Sequence, residues 1–260
     1  VKTLGGTRAS VFRARNISTD DDVVIKVLDR AKEPVLPKRF DRDRKTLLRL
    51  ATTNVGYVPL LTNGVSATGH DYIISPYYEL GSMQDQIGHG PMPWRLAAEL
   101  MAKVAAIVGS AHAEGVVLGD VRPSSILLQA VGQPVIAAFG MATRRFDDGT
   151  PVFTAPEKED PKFRLTPPAD VYSLSLVFGA LLAGRAKARS ESIEDYLAEL
   201  REVAPERFVE VIEHGLSSSP TNRHRDAQTM ERAITAAINS DPESTVQSNI
   251  DLHAKDPLDL

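Results

Sequence analysis

No cysteine occurs among the 260 residues, so disulfides and thiolate–metal centres are excluded. That composition suits a reducing compartment. A basic excess is also missing: the net charge is -4 and the pI about 5.9. No electrostatic footprint for nucleic acid or for an anionic membrane surface is present. No unbroken apolar run approaches the roughly 18 residues that cross a bilayer, and no signal peptide is recognisable. Cytoplasmic localisation is expected, with no membrane contact by this segment. An initial methionine is absent too, and the chain starts at Val1 inside a strand-like stretch. It reads as a fragment of a longer protein, whose anchor or partner domains would lie outside it. There are no internal repeats, and the six histidines are scattered without metal-ligand spacing.

What is present is a hydrophobic content of 42%, enough for a sizeable core in one large domain or two lobes. Residues 1–78 read as β-rich with one helix. Val23, Val24, Ile25, Lys26, Val27 and Leu28 have strand character, as do Tyr72, Ile73 and Ile74. Residues 39–50 read as the helix. Residues 79–239 read as helical. Leu96, Leu100, Val104, Ile107, Val108 and Ala111 recur at helical spacing, and Gly115 offers a cap. Three short apolar runs follow at 116–118, 126–128 and 135–136. Residues 170–184 are apolar nearly all round, the pattern of a fully buried helix. Further helices are expected at 193–202, 205–214 and 227–239. Residues 240–260 are polar and read as a tail or linker.

Taken in order, these elements resemble the protein-kinase family, most closely its bacterial Ser/Thr members, over residues 4–238. The most specific stretch is 149–157, ending in Ala155, Pro156 and Glu157, which is similar to the end of that family's activation segment. Residues 111–123 have the cadence of its catalytic loop, and 170–174 match the start of its buried central helix. The resemblance implies an α+β, two-lobed fold, with a small β-rich lobe carrying one helix and a large helical lobe.

It also implies roles for single residues. Phosphoryl transfer asks for positioning and for neutralisation of the phosphates. Lys26 matches the phosphate-gripping lysine, though an ordinary edge-strand lysine would look the same. Asp43 stands where the family has its partner glutamate. It can pair with Lys26 only if its helix moves closer, and a solvated surface charge is the other reading. Gly6 matches one glycine of the nucleotide loop, while Leu4 and Ala9 replace two others. Gly5 and Gly6 could equally be a plain turn. Val11 would pack over an adenine. Ser75 matches the gatekeeper, and Pro76 and Tyr78 lie where a hinge would meet adenine, or where a linker would simply join two lobes.

In the large lobe, Asp120 matches the proton acceptor and Arg122 the neighbouring phosphate-contacting base. The arginine that would clamp a phosphorylated loop is Gly119. Ser125 replaces the metal-binding asparagine and Ala138 the metal-binding aspartate. Magnesium takes hard oxygen donors, usually one or two carboxylates. The resemblance therefore implies a pseudokinase without a metal site, with Asp120 retained for its loop. ATP could be taken up without magnesium, and the partner would be a protein: an active kinase or other domains of the parent chain. The alternative is a weak or unconventional Ser/Thr kinase, with Glu79 or Asp147 as stray carboxylates. Glu157 is expected to pair with Arg223, and Asp170 to cap the catalytic-loop backbone. Thr143 is the only hydroxyl residue between Gly140 and Gly149, so control by activation-loop phosphorylation is not expected. Thr245 in the tail is a candidate phosphoacceptor beside the plain-linker reading.

Overall fold

The computed structural model describes residues 1–5, 9–28, 45, 46, 48–52, 56–137, 153–160, 162 and 164–240. Gly6, Asp43, Ala138, Thr143, Asp147 and Thr245 lie outside the described residues, as does the tail from 241.

Five antiparallel strands open the chain: β1 (Lys2–Gly5), β2 (Ala9–Arg15), β3 (Asp22–Leu28), β4 (Thr62–Val65) and β5 (Asp71–Pro76). Their order in the sheet is β1-β2-β3-β5-β4. β3 is central because its β-branched run suits a strand paired on both sides. The register sets Val11 opposite Lys26 and Lys26 opposite Ile73. It also sets Val24 opposite Ser75. Alternation then places Val11, Val24, Lys26, Ile73 and Ser75 on one face. Residues 45, 46 and 48–52 are helical, the described part of the helix expected at 39–50.

Among the described residues the second lobe is built on six α-helices: α1 (Met83–Gly88), α2 (Trp94–Ala113), α3 (Pro167–Ala183), α4 (Ile193–Val203), α5 (Glu206–Gly215) and α6 (Ala227–Asn239). A hairpin of β6 (Ile126–Ala130) and β7 (Gln133–Ile136) lies between α2 and α3. The other apolar run, 116–118, is in no helix and pairs with no strand among the described residues.

α3 is the axis of the core. It starts at Pro167, three residues before the boundary read from the sequence, so Asp170 sits in its first turn. Of its 17 residues 13 are buried, including Leu174, Val177, Phe178 and Leu181. Ser173 and Ser175 tolerate that burial because each hydroxyl donates to the carbonyl four residues back, Ala169 and Val171. Gly184 ends the helix at φ 66°, a left-handed cap that a Cβ would disfavour. α2 is, by length and composition, apolar enough to cross a membrane. Arg95, Glu99 and Lys103 interrupt it, so it is not an unbroken apolar run. Here its Leu100, Met101, Val104 and Val108 pack inside the lobe core. α4 and α6 are capped by Ser192 and Asp226, whose side chains accept from the amides of Asp195 and Thr229.

The two lobes are stitched together at residues 56–58. Val58 N–H donates to the Ile136 carbonyl at 3.0 Å, and Ile136 N–H to the Gly56 carbonyl at 2.8 Å. Tyr57, 2% exposed, donates its hydroxyl to the Ile107 carbonyl of α2 at 2.8 Å.

Candidate functional site: an aspartate-anchored loop and a strand-borne lysine

The loop 116–125 is placed by Asp170. Its carboxylate is fully buried and accepts from Leu118 N–H at 2.8 Å and Gly119 N–H at 2.7 Å. The position in the first turn of α3 adds a favourable helix dipole. A third contact is His112 Nε2, at 3.0 Å. His112 Nδ1 accepts from Ala227 N–H at 3.1 Å, so in the neutral ring Nε2 carries the proton and donates it to Asp170. One carboxylate thus joins α2, α3, α6 and the loop.

Asp120 faces Arg122. The guanidinium grips both carboxylate oxygens, Nε to Oδ1 at 2.9 Å and Nη2 to Oδ2 at 2.5 Å. A bidentate charge-assisted pair of this kind is the strong form of the interaction. Ser125 is turned into its own loop: its hydroxyl accepts from Arg122 N–H at 3.1 Å and donates to the Arg122 carbonyl at 2.8 Å. Its backbone carbonyl accepts from Ala137 N–H at 2.8 Å. That bond brings the end of the β7 segment, and with it the residue preceding Ala138, against Ser125.

Glu157 and Arg223 meet as the sequence leads one to expect. Arg223 donates from Nη1 to Oε1 at 2.7 Å and from Nη2 to Oε2 at 2.8 Å. Its remaining donors reach the carbonyls of Ser217, Pro168 and Ser218. All five guanidinium hydrogens have acceptors, which is what an arginine side chain with 0% exposure requires.

In the small lobe Lys26 and Val11 are cross-strand neighbours on one sheet face, with the small buried Ser75 on the same face. Pro76 ends β5. Tyr78 follows, its carbonyl accepting from Gly81 N–H at 3.1 Å, and burial pushes its phenol pKa up. The hinge is braced by Arg13, whose guanidinium lies 4.0 Å from the Tyr77 ring centroid while pairing with Asp22. Arg13 holds the Asp22 carboxyl below the usual range. Ala9 begins β2 opposite Leu28, and Leu4 is on β1. Glu79 is exposed.

Sequence reading missed Lys158. It lies one residue beyond Glu157 in the short turn Pro156–Glu159. From there it donates to the Gly119 carbonyl. Burial pushes its pKa down, against the pull of Asp120, Asp170 and Glu157. The only available signal was a lysine adjoining a recognisable motif.

Of the two positions that match the family's magnesium ligands, Ser125 lies among the described residues and Ala138 does not. Ser125 offers a neutral oxygen already bonded twice within its loop, and both oxygens of Asp120 are held by Arg122. Among the described residues no three of His, Cys, Asp and Glu gather as metal ligands would.

A five-stranded sheet lobe, a helical lobe around a buried central helix, and a loop anchored on a buried aspartate define a protein kinase domain. Residues 1–247 match the family described as Protein kinase domain, and the chain belongs to that family. It is 32% identical over 215 residues to the serine/threonine-protein kinase PknK of Mycobacterium tuberculosis, covering 79% of this chain and 19% of the relative. It is 26% identical over 260 residues to PrkC of Bacillus subtilis, covering 91% of this chain and 40% of PrkC. The chain therefore spans well under half of these relatives. The fold superposes on the PknI kinase domain of M. tuberculosis with a TM-score of 0.71 at 21% identity, covering 91% of this chain and 94% of that one.

Proposed function

We propose that this domain is a pseudokinase: a regulatory or scaffolding module that binds a protein partner, either an active kinase or other domains of its parent chain. The observation that carries this reading is Ser125, whose hydroxyl is folded into its own loop beside the strand end that leads into Ala138. A metal supplies several kcal/mol to a phosphoryl-transfer transition state. Removing one preorganised electrostatic group costs roughly a hundred- to a thousandfold in rate. Here both ligand positions carry residues that cannot replace a carboxylate or an amide. ATP is taken, if at all, without magnesium, through Lys26 and the hinge at Pro76 and Tyr78.

The test is thermal unfolding of the purified domain with millimolar ATP, with and without magnesium or manganese, alongside a phosphotransfer assay. The expected result is no metal-dependent stabilisation and no labelling. Metal-dependent labelling that disappears in Asp120→Asn would overturn this reading.

That same outcome would support a second reading, a weak Ser/Thr kinase. It is favoured by Lys26 and Val11 sharing one sheet face, and by Asp120 and Arg122 remaining together in an ordered loop. The names of the curated relatives point the same way.

A further inference from the structure

Residue 119 is held at both ends of its backbone by different elements. Its N–H donates to Asp170 of α3, and its carbonyl accepts from Lys158 of the turn after the activation segment. Glycine suits the position. Its φ is +73°, and a Cβ would lie 2.4 Å from Leu165 Cδ2. With no side chain at 119, Leu165 covers the outer side of the loop and the lysine reaches the carbonyl.

An ammonium is costly to bury unless it is paired and hydrogen-bonded. Lys158 meets that cost with the Gly119 carbonyl and with the surrounding charges of Asp120, Asp170 and Glu157, while Arg122 opposes it. Glu157, its chain neighbour, is itself fixed by Arg223. The ammonium therefore spans from a turn anchored to the Arg223 segment to a loop anchored on α3.

We propose that Lys158 is a positioning residue, an internal cation that ties the end of the activation segment to the catalytic loop without any phosphate. The tie needs no modification because both of its partners are part of the folded chain. It goes beyond the proposed function and holds whether or not the cleft transfers phosphate.

Hydrogen exchange on the whole chain tests it, after mass spectrometry and phosphatase treatment have established that no phosphate is present. In the wild type, the amides of Leu118, Gly119 and residues 157–160 are expected to be protected. Lys158→Met keeps the stem and removes the donor. It should speed exchange at those amides by about tenfold or more, with the amides of α2 and α6 unchanged. Lys158→Gln keeps a neutral donor and should recover part of the protection. An even acceleration across the whole chain, or no change in either variant, would overturn the proposal. So would protection that vanishes on phosphatase treatment. If Lys158→Met does not fold, Lys158→Gln and the phosphatase arm still decide the matter.

Discussion

At residue 119 the backbone lies in the left-handed region, with φ at +73°, where glycine carries no penalty. Any Cβ there meets Leu165, and the left-handed backbone adds its own strain. Gly119→Ala is expected to lower the unfolding free energy by about 1–2 kcal/mol, most of it from the backbone. Leu165→Ala in the same chain should recover only the smaller, steric part. Urea denaturation of the three proteins measures both effects, and a loss under ~0.5 kcal/mol in Gly119→Ala would show that the loop tolerates another conformation. At this scale the sequence was most readable where a residue belongs to an ordered motif. Asp170, Glu157 and Arg223 could each be assigned a partner, and the partners are found together. Lys158 could not, because its acceptor lies 39 positions away and a lysine carries no directional pattern. Arg122 was readable as a base near Asp120. Its two-pronged grip on that carboxylate depends on side-chain geometry that spacing alone does not reveal.

Among the elements, the stretch Gly56, Tyr57 and Val58 joins the lobes, although nothing in its composition reads as a strand. Its two backbone bonds to Ile136 form only because β7 ends beside it. Tyr57 adds a buried hydroxyl bond to α2. Tyr57→Phe removes one net hydrogen bond and leaves the ring, so about 0.5–1.5 kcal/mol of stability should be lost, with an unchanged denaturant slope. The Ile107 carbonyl keeps the Ser110 hydroxyl as a donor, so the cost belongs at the low end. A loss above ~3 kcal/mol would mean that the lobes separate. Periodicity located the long helices well, because a buried face repeats over several turns. It placed α3 too late, since Pro167 and Pro168 look like a break while being good first-turn residues. The membrane-length character of α2 was overlooked because Arg95, Glu99 and Lys103 interrupt every apolar run. Four-residue β4 carries too few positions for a pattern.

For the molecule as a whole, His224 sets a limit on acid stability. It is buried and its Nε2 has no partner among the described residues. Burial lowers its pKa below 6.5, and His214, whose ring centroid lies 4.1 Å away, lowers it further. The Val211 backbone and Asp226 pull the other way without winning. Above pH 6.5 the ring is neutral folded or unfolded. As the pH falls through 6.5 the unfolded chain takes up a proton that the folded chain refuses, so stability declines. Thermal unfolding between pH 7.5 and pH 5 should show that decline, and His224→Phe should make it shallower; an identical slope in both proteins would remove His224 as the cause. A different long-range consequence follows from His112. The first amide of α6 rests on its imidazole, and the same imidazole rests on the carboxylate that holds residues 118 and 119. Mechanical tension applied to the start of α6 would therefore be passed, through three hydrogen bonds in series, to the backbone of residues 118 and 119.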